Sequence, residues 1–291
     1  MTSARHDDLA APTVLRIQLG AQLRRLRQQR NVTREAAGWE IRSSESKISR
    51  MELGRVPFKE RDVADLLTLY GVGEPERTAL LTLARQANAP GWWQQYADLV
   101  PPWFVSYLGL EQAAALIRTY DLQFVPGLLQ TPDYARAVQR LLHTDASAAE
   151  IDRRIELCQG RQRVLQESDP PRYWAVLDEA VLHRQIGGPE VMRDQMRALI
   201  EASERPNVRL QIVSLRGGTY AAVGFPFAIL RFAELELPDL VYVEQLTGAL
   251  YLDKPGDVEH YAVTMERACV EAGAPEQTVG ILREAMHATT G

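Results

Sequence analysis

The sequence predicts an α+β fold, on three observations. Apolar residues recur at helical spacing through the first ninety residues, cut by capping and turn residues into five short helices. Beyond residue 104, further helical stretches are joined by five strand-like runs, all between Arg172 and Leu252. Those runs are too few and too clustered for a regular strand–helix alternation, so a small sheet beside several helices is expected. The predicted organisation is an all-α region at 1–89, an aromatic linker at 90–103 and an α+β region at 104–291.

The first helix is read over about 13–30. Val14, Ile17, Leu19, Leu23 and Leu26 supply its apolar stripe, with Thr13 as N-cap and Asn31 as terminator. Thr33 caps a second helix to about Glu40, whose small Ala36-Ala37-Gly38 stretch admits a close neighbour. Trp39 is expected to pack in the core. Arg42-Ser43-Ser44 is a polar break, and either serine can cap a third helix from Glu45 to about Leu53, with Ile48 and Met51 inward and Gly54 ending it. A fourth helix follows over 59–70 and ends at Gly71 and Gly73. Pro75 starts a fifth, to about Ala89.

The second and third helices, separated by a few polar residues, form a helix-turn-helix arrangement, in which the second of the pair enters the major groove of DNA. The third helix exposes Ser44, Glu45, Ser46, Lys47, Ser49 and Arg50, side chains short or cationic enough to approach bases and phosphates. The stretches LGAQLRRLRQQRNVTREAA and SESKISRMELGRVPF make residues 15–70 resemble the xenobiotic-response-element, or lambda-repressor-like, helix-turn-helix domain. The resemblance implies base contacts from Glu45, Ser46 and Arg50, and phosphate contacts from Ser44, Lys47, Ser49 and Arg55. It makes Glu52 structural, and Arg34 completes the DNA-facing set. Glu45 departs from many relatives, which carry Gln there. A carboxylate only accepts hydrogen bonds and favours cytosine N4.

In the linker, PGWWQQYADLVPPW, three tryptophans crowd between Pro90-Gly91 and Pro101-Pro102. So aromatic a segment is expected to dock on a neighbour rather than swing, although an aromatic pair also suits a ligand or a base. Beyond it, helices are read over Leu108–Tyr120, 132–143 and 149–167, then a strand at Arg172–Leu177 and a short helix at Glu179–Arg184. Gly187-Gly188 and Gly217-Gly218 are turns. A helix at 189–203 is followed by strands at 208–214, 227–232, 240–244 and 249–252, and helices at 256–272 and 275–288 close the chain. The runs GWWQQYAD, LEQAAALIRTYDLQFVPGLLQTPDYARA, RRIELCQGRQ and WAVLDEAVLHRQIGGPEVMRDQM make this part similar to the C-terminal domain of actinobacterial WhiJ-like regulators. That likeness implies transcriptional regulation, and often a small partner protein in an antitoxin-like arrangement.

Composition agrees with a regulator in two parts. The chain has 291 residues, 46% hydrophobic and 24% charged, which excludes collagen-like, low-complexity and disordered classes. Residues 1–90 carry 15 Lys/Arg against 11 Asp/Glu, a balance of +4, while residues 91–291 carry 18 against 27, a balance of −9. A basic end on an acidic body points to polyanion binding coupled to a separate task. No apolar run reaches membrane-spanning length, and MTSARHDDLA has no signal-peptide core, so a cytoplasmic location is expected. The two cysteines, Cys158 and Cys269, build no disulfide framework, and Cys158 reads as a buried inert thiol.

No catalytic motif occurs, so no enzymatic activity, catalytic residue, cofactor or metal is expected. Glu179 and His183 stand four apart on a short helix and read as a surface pair rather than half a metal site. Tyr107, Tyr120, Phe124 and Trp174 could line a small-molecule pocket, with Arg161, Arg163 and Arg184 for an anionic group. The plainer reading makes the aromatics core and the arginines partners of surface acids. The expected function is a sequence-specific DNA-binding regulator acting on a double-stranded operator as a homodimer, with a small-molecule effector or a partner protein as input. The alternative is an antitoxin-like protein that sequesters a small partner and autoregulates its operon.

Overall fold

The structure is a computed structural model that describes residues 12–215, 225–233 and 237–288. The Gly217-Gly218 turn and the N-terminal stretch lie outside the described residues. The chain forms two compact units. Among the described residues, the first comprises those up to Gln94 and Val105–Ala113; the second comprises Gln95–Phe104, the described part of 114–233, and Pro238 onward.

Helices α1 (Pro12–Gln29), α2 (Arg34–Glu40), α3 (Glu45–Glu52), α4 (Glu60–Leu69) and α5 (Glu76–Ala87) build the first unit. Their ends follow local chemistry. Thr33 and Ser44 cap α2 and α3 by accepting from the amides of Ala36 and Lys47. Asn31 and Gly54 sit at φ 53° and 63°, and each closes a helix together with the residue after it: the Asn31 and Val32 amides donate to the Gln28 and Arg27 carbonyls, and the Gly54 and Arg55 amides to those of Met51 and Arg50. Helix α1 begins at Pro12, so Thr13 lies within its first turn instead of capping it. One core, with Leu19, Leu23, Ile48, Met51, Leu66 and Leu67 at its centre, joins α1, α3 and α4. Longer tethers reinforce it: Arg16 Nε donates to the Ala87 carbonyl at 2.9 Å and Arg30 Nε to that of Tyr70 at 2.8 Å.

Trp39 departs from expectation. It is 78% exposed, whereas Ala37, Gly38 and Ile41 are buried. At 100° per residue, position 39 lies on the far side of α2 from 37 and 41, and helical phase overrides hydrophobicity. In the aromatic segment, Trp92–Tyr96 forms a 3-10 turn. Trp93 is buried there, and Trp92 donates to Gln112 Oε1 at 3.1 Å.

The second correction concerns the stretch read as one helix over Leu108–Tyr120. Helix α6 (Pro102–Ala113) stops at Ala113 and strand β1 (Ala114–Asp121) begins at once. Ala114, Ala115 and Leu116 suit a helix, but Ile117, Thr119 and Tyr120 gain more as a buried central strand. Then follow α7 (Pro132–Leu142), α8 (Ala148–Gln162), β2 (Arg172–Asp178), α9 (Ala180–His183), α10 (Pro189–Ser203), β3 (Val208–Val213), β4 (Phe227–Phe232), β5 (Leu240–Gln245), β6 (Gly248–Leu252), α11 (Pro255–Glu271) and α12 (Pro275–Ala288).

The fold is α+β: a helical N-terminal region, then a six-stranded sheet with several helices. The strand order is β3-β2-β1-β4-β5-β6. Strands β1, β2 and β3 are parallel and β4, β5 and β6 antiparallel, so β1 joins two kinds of ladder. With β1 in place, the parallel half does alternate with helices, an order hidden while its first strand was read as helix. Ser147 starts α8 with a reciprocal capping box to Glu150. One sheet face packs Tyr120, Val176, Phe227 and Ile229 against Met265 and Ala268 of α11.

Candidate nucleic-acid interface

Helix α3 is held by an ionic knot beneath it. Glu52, at its last residue, is only 5% exposed, and Arg27 of α1 is 8% exposed. Arg27 Nε donates to Glu52 Oε1 at 2.5 Å, Arg27 Nη2 to Oε2 at 3.1 Å and Arg34 Nε of α2 to Oε2 at 3.2 Å. Arg27 also donates to the Val32 carbonyl at 2.8 Å, at the turn into α2. One carboxylate thus ties α1, α2 and α3 together, the structural role expected of Glu52.

The turn between α2 and α3 is equally constrained. Arg42 takes φ 53°, and its amide donates to the Trp39 carbonyl at 3.1 Å while the Ser43 amide donates to that of Gly38 at 2.8 Å. A Cβ on Gly38 would stand 2.8 Å from the Ser43 carbonyl oxygen, so glycine is what lets the turn fold back on α2.

On this frame the sequence-predicted residues divide. Ser44, Glu45, Ser46, Arg50 and Arg55 are exposed, and Ser49 is half-buried. Glu45 in the first turn and Arg50 in the last complement the helix dipole. Arg50 Nε leans back on the Ser46 carbonyl at 3.3 Å. Two cations of the set are already engaged: Lys47 Nζ meets Asp62 Oδ2 of α4 at 2.6 Å, and Arg34 belongs to the Glu52 knot. Spacing along the chain gives no sign of either pairing. Trp39 of α2 and Arg42 of the turn before α3 are also exposed; helical phase for the first, and a left-handed terminator for the second, were the signals the sequence offered.

Of the seven residues proposed for a ligand pocket, Tyr107 belongs to the first unit and the other six to the second. Tyr120 is buried core. Trp174 donates to Gln211 Oε1 at 2.7 Å beneath the Arg209 guanidinium, 4.6 Å from its ring. Phe124 is half-buried, while Arg184 and Arg163 are exposed. Arg161 stands 5.1 Å from the Phe104 ring centroid. Cys158 is buried. His183 and Glu179 pair at 3.3 Å, and Glu179 also accepts from Ser214 Oγ at 2.9 Å and from the Leu215 amide at 2.8 Å. Among the described residues no group of three or more metal-type side chains gathers, and no helix is long and apolar enough to cross a membrane.

Asp121, at the end of β1, was not singled out by its sequence context. Burial pushes its carboxyl up to about 7, against a hydrogen bond from Thr119 and the charge of Arg161, which pull it down. Between about pH 4 and 7 the unfolded chain has lost this proton and the folded chain retains it, so stability falls as pH rises through that window. Asp121→Asn is expected to raise the melting temperature at pH 8, with the gain vanishing below pH 4; a pH-independent gain in thermal scans would contradict the shift.

A helix-turn-helix domain model matches residues 18–80, which marks the N-terminal region as that of a DNA-binding regulator. Neither a curated protein nor a solved structure matches the chain. A second model, a domain of unknown function called DUF5753, matches residues 104–284, more than half of the sequence, and the chain belongs to that family.

Proposed function

We propose that the chain is a sequence-specific transcription regulator of the WhiJ-like kind. Helix α3 reads an operator half-site, and residues 104–291 pair two copies and take an input from a small molecule or a partner protein. It works in the cytoplasm and catalyses no reaction. The observation that carries this reading is α3 itself, whose exposed side carries Ser44, Glu45, Ser46 and Arg50 and whose buried side is locked by Glu52. The helix-turn-helix match over residues 18–80 supports it. Pairing follows from size, because one small module buries too little surface for tight specific binding, and two copies read half-sites about one helical turn apart.

The test is a fluorescence-anisotropy titration against the chain's own promoter DNA and a scrambled control, at about 50 and 200 mM salt. Promoter-selective binding that weakens with salt is expected. Arg50→Ala should lower promoter affinity by about 1–3 kcal/mol and relax selectivity. Equal binding of both DNAs, or an Arg50→Ala variant that binds like the wild type, would remove α3 as the reading helix.

A further inference from the structure

The sheet face opposite α11 carries a polar group that the regulator reading leaves unused. Thr119 of β1 pairs with Ala228 of β4, Ala228 with Tyr242 of β5, and Tyr242 with Tyr251 of β6, one row across four strands. Two residues further along their strands, alternation puts Asp121 and Glu244 on the same face, two strand spacings or roughly 9–10 Å apart. The rings of Tyr242 and Tyr251 meet edge to face, with centroids 5.2 Å apart. Arg161, in the last turn of α8, is near enough for its charge to act on Asp121, Tyr242 and Glu244. Gly127 gives it room: a Cβ there would lie 2.9 Å from Arg161 Nη1.

Asp121 Oδ2 is closed off from solvent and meets no hydrogen-bond partner among the described residues. A buried acceptor in that condition calls for a donor that the described residues do not supply. Two carboxyl groups face one guanidinium, so the group is negative once both ionise and favours a cationic donor. The described residues gather no metal-type ligand set, which leaves an organic cation. Glu244 is exposed and marks the open rim, while Tyr242 is buried and offers an aromatic wall.

We propose that this face binds a small organic molecule through a primary ammonium group held by Asp121, with its apolar ring against Tyr242 and Tyr251. As the regulator's effector, such a ligand rests on the function proposed above; as a ligand of the sheet, it does not.

Thermal shift of the full chain without DNA tests the binding, with 2-phenylethylamine as probe and 2-phenylethanol as its neutral counterpart. The amine is expected to raise the melting temperature and the alcohol to leave it unchanged. In Asp121→Asn, the apparent Kd for the amine should weaken at least about tenfold. No shift up to roughly 10 mM amine would overturn the proposal and leave an ordered water as the partner of Oδ2. Equal shifts from amine and alcohol, or an intact shift in Asp121→Asn, would overturn it as well. Promoter affinity is then read with and without amine. A change supports the effector role, and an unchanged affinity with the amine bound overturns that role alone.

Discussion

Glu52→Ala is expected to destabilise the helical unit by about 3–5 kcal/mol, because it strands the buried guanidinium of Arg27. Arg27 is 8% exposed, and its alternative acceptor, the Val32 carbonyl, already takes one of its donors. The energy lost is therefore mostly the penalty of an unpaired buried charge, not the worth of the pair. Two controls separate these. Arg34→Ala removes a partner whose side chain is 36% exposed and should cost about 1 kcal/mol or less. The double change Arg27→Met with Glu52→Leu removes both charges and should recover most of the loss. Urea midpoints with unchanged slope make the comparison. A loss below about 1 kcal/mol for Glu52→Ala would put the pair in the class of surface bridges.

Gly20→Val has the second large effect. A Cβ at Gly20 of α1 would stand 2.5 Å from the Met51 carbonyl oxygen and 2.8 Å from that of Glu52. Both oxygens are backbone atoms of the last turn of α3, so no side-chain rotation relieves the clash. Overpacking of this kind costs about 1–3 kcal/mol, and here the element pushed aside is the reading helix. Promoter affinity should fall even at temperatures where the variant is fully folded by circular dichroism. Gly73→Ala is the matched control, since a Cβ there meets nothing within 4 Å. Should Gly20→Val bind the promoter like the wild type, α1 does not set the position of α3.

What could be read in advance follows the range of the interactions. Helix ends at Asn31, Ser44 and Gly54 depend on a cap or a left-handed residue within a few positions, and the residue names state them. Trp39 shows a local signal misjudged: size and apolarity argued for burial, while its phase between Ala37 and Ile41 argued for exposure. Strand β1 shows a signal absent from the segment. Ala114-Ala115-Leu116 prolongs a helix by propensity, and what makes it a strand is pairing with Arg172 and Arg231, far along the chain. The candidate site divides in the same way. The residues of α3 were visible from the pattern S-K-I-S-R-x-E-x-G, but the engagement of Lys47 by Asp62 depends on a helix crossing. Asp121 is marked out by strand pairings that bring Tyr242 and Glu244 to its sheet face and by the charge of Arg161, all distant in the chain.

The position of β1 at the join of the two ladders bears on how the chain assembles during synthesis. Its parallel edge needs β2, about fifty residues later, and its antiparallel edge needs β4, more than a hundred residues later. The contacts among the five N-terminal helices close within residues 12–87, so they can form before any strand of the sheet has been made. The sheet must wait with an open edge on β1 until residues 227–232 have been made. The slow and aggregation-exposed phase of biosynthesis therefore belongs to the C-terminal part, and chaperone dependence should track the sheet rather than the helices.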